Sequence, residues 1–481
     1  MKKTLGRLIQ LLAAMLAGVL ITLLVGLILV LHNKQALNVW HTVYLDAEYT
    51  AKCGVKTFAG YLDLEQRLFS QLQRQVYDAV APQDQHNVNR FTRGSLADPA
   101  RWPVNWNRTF EWSGPNPTAG VLLLHGLSDS PYSLRRIGRR LADDGAHVVG
   151  LRIPGHGTAP SALVNTSWED MAAAVELSMH HLKDRLPDLP IYLIGYSNGA
   201  ALAVHYVLTG IEDNALPRVN GVVLISPEIG ITKAAALAVW QDRLGRWLGL
   251  PKLAWNDVLP EFDPYKYNSF AVNAGYQAHR LTGEIKRRLS RYEKHGQLAK
   301  LPPIMAFQSA ADATVQAQAL IDELFNRLPS GSHELVLFDI NRLQTFEPLL
   351  NNKAQDNIAA LFETTIPAYR RTLVTNIDSS SAIVAARVFA AGDSQSRVEP
   401  LHTAWPDKVY SLSHVALPFA PEDPLYGCCP VEKSPGIQLG NVVLRGERGV
   451  LRTDPAMLLR IRWNPFYDYL QQRIMEFLKK N

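Results

Sequence analysis

The run Ile191-Tyr-Leu-Ile-Gly-Tyr-Ser-Asn-Gly-Ala200 limits the folds open to this chain more than any other stretch of it. A short apolar segment ends in Gly195-Tyr-Ser197-Asn-Gly199 and passes into Ala200, Ala201, Leu202 and Ala203, small residues that suit a helix. This G-x-S-x-G pattern reads as a buried strand turning sharply into a helix with the serine exposed at the apex. Glycines two before and two after the serine let the backbones pack closely there. A neutral serine hydroxyl is a poor nucleophile, so the turn carries chemistry only where the fold also brings a base and an acid to it.

At 481 residues the chain can hold two or three average domains, or one large α/β domain with insertions. The net charge of +5 is mildly basic, but the lysines and arginines are scattered. The densest group, Arg135-Arg136-Ile-Gly-Arg139-Arg140, falls in a predicted helix and reads as a solvated face, so no nucleic-acid partner is expected. The amino terminus is more informative. Leu8 to Leu31 is apolar except for Gln10 and Thr22, longer than the core of a cleavable signal and suited to one transmembrane helix over 1–31. Lys2, Lys3 and Arg7 before it predict a cytoplasmic N-terminus and a catalytic domain outside, in the periplasm if the source is Gram-negative. Of the three cysteines, Cys53 has the option of pairing with Cys428 or Cys429 in an oxidising compartment; three free thiols is the alternative.

A pre-domain segment, 32–104, carries Tyr61, Leu64, Leu68, Phe69, Leu72, Val76 and Val80 at helical spacing, which predicts an amphipathic helix docked on the main domain. From 105 to 230, short apolar runs alternate with helical stretches, the pattern of a mostly parallel sheet with helices on both faces. Strands are expected at 107–112, 120–125, 147–152, 191–195 and 221–226, with helices at 133–144 and 168–185. The rhythm breaks over 231–301, where aromatic-rich helical pieces predict a cap insertion. It resumes over 302–481 with strands at 303–309, 334–338, 371–375 and 408–413, interrupted by an insertion around 340–407 whose purpose the sequence does not reveal.

Three motifs in register now point to a family. Leu124-His125-Gly126-Leu127-Ser-Asp-Ser-Pro131, Arg152-Ile-Pro154-Gly155-His156-Gly157 and Gly195-Tyr-Ser197-Asn-Gly199 resemble the α/β-hydrolases, within them the monoacylglycerol-lipase-like esterases and lysophospholipases. The resemblance implies an α/β-hydrolase fold with a helical cap, Ser197 as nucleophile, and the backbone amides of Leu127 and Asn198 as the oxyanion hole. It implies an acid and then a histidine later in the chain. Asp312 in Gln308-Ser309-Ala-Ala-Asp312-Ala-Thr-Val315 matches the family's Asp-x-x-Val pattern, with Ser309 or Ala310 where a glycine is usual; Asp339 is the rival. For the base, only His333, His402 and His414 follow the acid, and His414 directly follows a predicted strand. The gap from Asp312 to His414 is longer than the family's. His125 and His156 read as loop braces, and His180, His181, His205, His279 and His295 as ordinary helix or surface residues. No H-E-x-x-H, carboxylate cluster or Gly-rich phosphate loop is present, so neither metal nor cofactor is expected.

The expected function is a membrane-anchored serine hydrolase cleaving carboxylic esters, such as a monoacylglycerol or lysophospholipid, through an acyl-enzyme. An acyltransferase using the same triad, an amide-cleaving relative and a non-catalytic tethered scaffold are the alternatives.

Overall fold

The protein is described here from a computed structural model covering residues 2–33, 35–229, 250–312, 316–351, 367–431, 434–440 and 459–481, with a few positions between 355 and 361. The strands among these are β1 (Phe110–Trp112), β2 (Ala119–Leu124), β3 (Ala146–Leu151), β4 (Ile191–Tyr196), β5 (Gly221–Ile225), β6 (Trp255–Asp257), β7 (Phe270–Ala271), β8 (Ile304–Ser309), β9 (Glu334–Phe338), β10 (Arg370–Asn376), β11 (Ile383–Phe389) and β12 (Ser396–Ala404). Ten of them form one sheet in the order β1-β3-β2-β4-β5-β8-β9-β10-β11-β12; β6 and β7 pair separately. From β3 through β10 every neighbour is parallel; β1 and β11 run against them, and β12, antiparallel to β11, runs with them.

The helices are α1 (Lys2–Asn33), α2 (Val39–Thr42), α3 (Phe58–Gln75), α4 (Arg135–Asp143), α5 (Ala162–Asn165), α6 (Trp168–Arg185), α7 (Asn198–Thr209), α8 (Val272–Lys294), α9 (Ala317–Glu323) and α10 (Tyr467–Lys480). The central strands are apolar throughout because both faces are covered. Leu122, Leu124, Leu193, Val222 and Leu224 meet side chains of α3, α6, α7, α8 and α9 on one face. Val121, Leu123, Ile194, Val223 and Phe307 meet Ile137 and Leu141 of α4 and Leu470, Ile474 and Phe477 of α10 on the other. The period-two alternation of each strand thus feeds two separate cores.

The predicted amphipathic helix is α3, and it docks as expected: Tyr61, Leu64, Leu68, Phe69 and Leu72 are buried. What fixes it is Arg152, fully buried at the start of the loop after β3. Its Nη2 donates to Glu48 Oε1 at 2.9 Å, Nη1 to Glu48 Oε2 at 3.1 Å, and Nε to Glu65 Oε2 at 3.1 Å; Nη1 also donates to the His156 carbonyl at 3.0 Å. Glu65, on α3, in turn accepts from the Thr109 hydroxyl at 2.8 Å and its amide at 3.2 Å. One guanidinium so ties the pre-domain segment to the entry of β1 and to the Arg152–Gly157 loop.

The insertion at 340–407 contributes β10, β11 and β12, which extend the sheet beyond β9. On the outermost strand, Arg397 and Glu399 pair with each other, a charged surface that discourages edge-to-edge association. This extension explains a difference from the sequence expectation. Residues 408–413 form no strand, because the free edge of β9 is taken by β10. The segment instead crosses the carboxyl ends of β8 and β9, held by Asn341 N–H to the Tyr410 carbonyl at 2.8 Å, Asn341 Nδ2 to the Val409 carbonyl at 3.0 Å and Ser309 Oγ to the Leu412 carbonyl at 2.8 Å.

Of the expected cap, 231–249 lies outside the described residues, and its last helix, α8, lies along the flank against α6 and α7: Arg288 Nη1 donates to Thr209 Oγ1 at 3.0 Å, and Asn273 Nδ2 donates to the carbonyls of Leu163 and Thr166 at 2.9 Å. At the amino terminus, α1 is one continuous helix, and Leu11, Leu12, Met15, Leu16 and Val19 are exposed. Among the described residues, no helix is long and apolar enough to cross a membrane. Cys428 and Cys429 are joined to each other and Cys53 is free and exposed, so neither sequence option for the cysteines holds.

Replacing Arg152 by Leu leaves the buried Glu65 and the half-buried Glu48 without their cation, and breaking a buried pair in this way costs about 3–5 kcal/mol. The expected result is a large loss in chemical-denaturation midpoint together with faster proteolysis between 39 and 80; a midpoint near the wild type's contradicts the clamp.

Candidate active site

Ser197 stands between β4 and α7 with φ 53° and ψ −117°. A non-glycine residue in this region costs about 1–3 kcal/mol, so the surroundings must impose it. The Ser197 amide donates to the Ile225 carbonyl of β5 at 2.9 Å, and its own carbonyl accepts from the amides of Ala200 at 3.0 Å, Ala201 at 3.2 Å and Glu228 at 3.2 Å. The flanking glycines make room for that turn. A Cβ on Gly199 would lie 2.1 Å from the Leu124 carbonyl oxygen, and one on Gly195 would lie 2.5 Å from the Ala200 nitrogen. Both obstacles are backbone and cannot rotate away.

The loop after β2 presses on the same apex: a Cβ on Gly126 would be 3.3 Å from Ser197 Cβ and 3.0 Å from the Tyr196 ring. Two amides are therefore close to the apex and uncommitted. Asn198 is the first residue of α7, where N–H groups have no partner within the helix, and among the described residues neither its amide nor that of Leu127 donates to an acceptor. His125 braces this loop. Its Nε2 accepts from the Ile153 amide at 3.0 Å, which leaves Nδ1–H to donate to the Gly126 carbonyl at 2.9 Å. Burial holds the ring well below the usual histidine range, and draws His156 down to about 4. Both rings are thus neutral struts.

Asp312 follows β8 at the same edge of the sheet. It is buried, and its Oδ1 lies 3.4 Å from Nδ1 of His414, which follows the 408–413 crossing segment. Gln308 Nε2 donates to the other carboxylate oxygen at 3.2 Å. The rivals are engaged elsewhere. Asp339 is buried in a closed set: Arg342 donates to its two oxygens at 2.9 and 3.0 Å, Thr375 Oγ1 donates at 2.7 Å and the Ile340 amide at 2.8 Å. His333 accepts from the Ile304 amide at 3.2 Å, at the amino end of β8 and so at the opposite edge of the sheet. His402 sits on β12, four strands from β8 in the sheet order. Val315 of the Asp312 motif lies outside the described residues. A cleft of about 290 Å³ opens on the Asp312–His414 side, lined also by 408–413 and 459–461 but not by Ser197.

Two acids near the elbow were not singled out from the sequence. Glu228, three residues beyond β5, accepts from Asn198 Nδ2 at 3.2 Å; burial pushes its carboxyl up to about 7. Asp129, in the loop after β2, is also pushed up to about 7 by burial, against the pull of Lys266. The signal for Glu228 was its place just past the end of β5, beside the strand that leads into Ser197. A third core of Trp102, Tyr132, Tyr265, Phe419, Leu425, Tyr426 and Leu439 gathers four loops beside this region. Asp423 locks it, accepting from Tyr132 OH at 3.0 Å and Arg135 Nη2 at 2.8 Å.

Substituting Gly199 by Ala drives a methyl into fixed backbone and should cost about 3 kcal/mol, read as a fall in denaturation midpoint; an unchanged midpoint means the elbow is not tight. Glu228 gives a pH test. Its folded carboxyl holds a proton that the unfolded chain releases near pH 4.3, so the wild type loses stability as pH rises from about 4.3 to about 7 and no further above. Glu228→Gln keeps the acceptor for Asn198 and removes that loss. The variant's stability relative to wild type should grow across that window and level off above it; a difference independent of pH contradicts a protonated Glu228.

Residues 115–342 match the family described as Serine aminopeptidase, S33. The chain is 27% identical to the thermostable monoacylglycerol lipase of Bacillus sp. (strain H-257) over 221 residues, 46% of this chain and 81% of that protein. It is 29% identical to the phospholipase YtpA of Bacillus subtilis over 121 residues, 25% of this chain and 44% of that protein. Among solved structures, the monoacylglycerol lipase of Paleococcus ferrophilus aligns at 18% identity with a TM-score of 0.36, over 52% of this chain and 98% of that one. The parallel sheet and the glycine-flanked serine elbow have the form of an α/β-hydrolase, and over 115–342 the chain is similar to carboxylic ester hydrolases such as the monoacylglycerol lipases.

Proposed function

We propose that the protein is a membrane-anchored hydrolase of amphiphilic esters, with Ser197 as nucleophile, His414 as general base and Asp312 as the carboxylate that orients it. The observation that carries this reading is the 3.4 Å approach of His414 Nδ1 to Asp312 Oδ1 at the carboxyl edge of the sheet that also bears the strained Ser197. With Nδ1–H held by the carboxylate, Nε2 is the nitrogen left to take the Ser197 proton as Oγ attacks the ester carbonyl. The tetrahedral oxygen takes the amides of Leu127 and Asn198, each such donor being worth about 3–4 kcal/mol. The protonated His414 then gives its proton to the leaving alcohol, and water cleaves the acyl-enzyme by the same route.

The substrate class follows from three supports. The curated relatives are named as a monoacylglycerol lipase and a phospholipase. Aromatic side chains from four loops gather beside the site. The apolar sequence Leu8–Leu31 behind Lys2, Lys3 and Arg7 suits an anchor with the N-terminus cytoplasmic and the hydrolase outside, which would hold the site at a bilayer surface.

A fluorophosphonate probe should label the wild type and neither Ser197→Ala nor His414→Ala, and each variant's kcat should fall by about 10⁴-fold or more. A His414→Ala protein labelled like wild type removes His414 from the mechanism. Turnover of a monoacylglycerol should exceed that of a short-chain ester and of an aminoacyl anilide; preference for the anilide overturns the ester assignment.

A further inference from the structure

Away from the elbow, Glu111 of β1, His147 of β3 and His181 of α6 turn three ligand atoms to one point. His147 Nε2 lies 2.8 Å and His181 Nε2 3.0 Å from Glu111 Oε1, and all three atoms are within 4.8 Å of one another. We propose that this trio is a zinc site clamping the short edge strand β1 to the sheet and to α6. Two imidazoles and one carboxylate are a donor set that zinc takes in four-coordinate geometry, with water in the fourth place. Glu111 is partly exposed, which leaves a side open for that water.

The ligands are held in place before any ion arrives. His147 is buried within β3, and the ring of Phe58 from α3 stacks on His181 with centroids 4.3 Å apart and planes 24° from parallel. Ligand atoms around a tetrahedral zinc with bonds of about 2.0–2.1 Å sit about 3.3 Å apart. Glu111 Oε1 needs to move only a few tenths of an ångström from each histidine nitrogen, and the two nitrogens already lie within 4.8 Å of each other; in the loaded site each ring's proton is on Nδ1 and its Nε2 lone pair faces the metal. The remaining cation nearby is Arg185, whose Nε is 3.7 Å from Glu111 Oε1 and whose side chain is more than half exposed, so it can swing into solvent. The location fits a structural role. His147 is near the amino end of its strand and α6 runs back along the sheet, so the trio sits at the edge opposite Ser197. β1 has three residues and, among the described residues, pairs only with β3, so it gains most from a clamp.

The test uses the full chain, stripped with a chelator, equilibrated with zinc chloride and desalted. Bound zinc should be about one per chain in the wild type, and the melting temperature should rise on adding zinc. In Glu111→Gln, and separately in His181→Ala, affinity should fall by more than about a hundredfold, since even outer-shell changes cost 10–100-fold. Circular dichroism checks that both variants fold, and His181, being partly exposed, tolerates truncation. A wild type that retains no zinc, or variants that retain it as the wild type does, overturns the site and leaves a hydrogen-bonded trio.

Discussion

The backbone at Ser197 is held in a conformation that side chains with a Cβ rarely adopt, and much of the molecule is arranged to keep it there. The amide is fixed by β5 and the carbonyl by the first turn of α7, while Gly199 lies so close to the end of β2 that no other residue fits. The strain is offset by cores on both faces of the sheet, which fix β2, β4 and β5 relative to one another. The result is a partly exposed serine at the head of a helix, next to an amide that donates to no acceptor among the described residues.

The proposed base, His414, comes to the carboxyl edge of the sheet by an indirect route. The slot directly after β9 holds Asp339, which is consumed by Arg342 and Thr375, and the chain adds three strands before returning. Its return across the ends of β8 and β9 is fixed by Asn341 and Ser309, and this brings His414 to Asp312. The extra strands thus lengthen the sheet without displacing the acid. Near Ser197, burial shifts two carboxyls upward, Glu228 beside the elbow and Asp129 in the loop after β2.

The parallel core was legible because its strands are short apolar runs bounded by turns and its helices have clear ends; the Ser167–Asp170 capping box opens α6 where the sequence put a helix start. The elbow was legible because glycine is the only residue its geometry admits. The crossing segment 408–413 was not, since its alternation looks like a strand and only the occupation of β9's edge by β10 forbids one. Nor was the flank position of α8, because an amphipathic helix in an insertion reads alike on a cap or on a core. Glu111, His147 and His181 escaped notice because 36 and 70 residues separate the histidines from the glutamate, and no motif spans three elements.

The pairing of His414 with Asp312 rather than Asp339 is the point on which the proposed chemistry turns. Steady-state kinetics of Asp312→Asn and Asp339→Asn on a monoacylglycerol separate the two. Asp312→Asn should lower kcat by about 10⁴-fold, because the imidazole loses the partner that sets its tautomer, whereas Asp339→Asn should reduce stability and leave kcat near the wild type's. The reverse pattern, with Asp339→Asn inactive and Asp312→Asn turning over normally, contradicts the assignment.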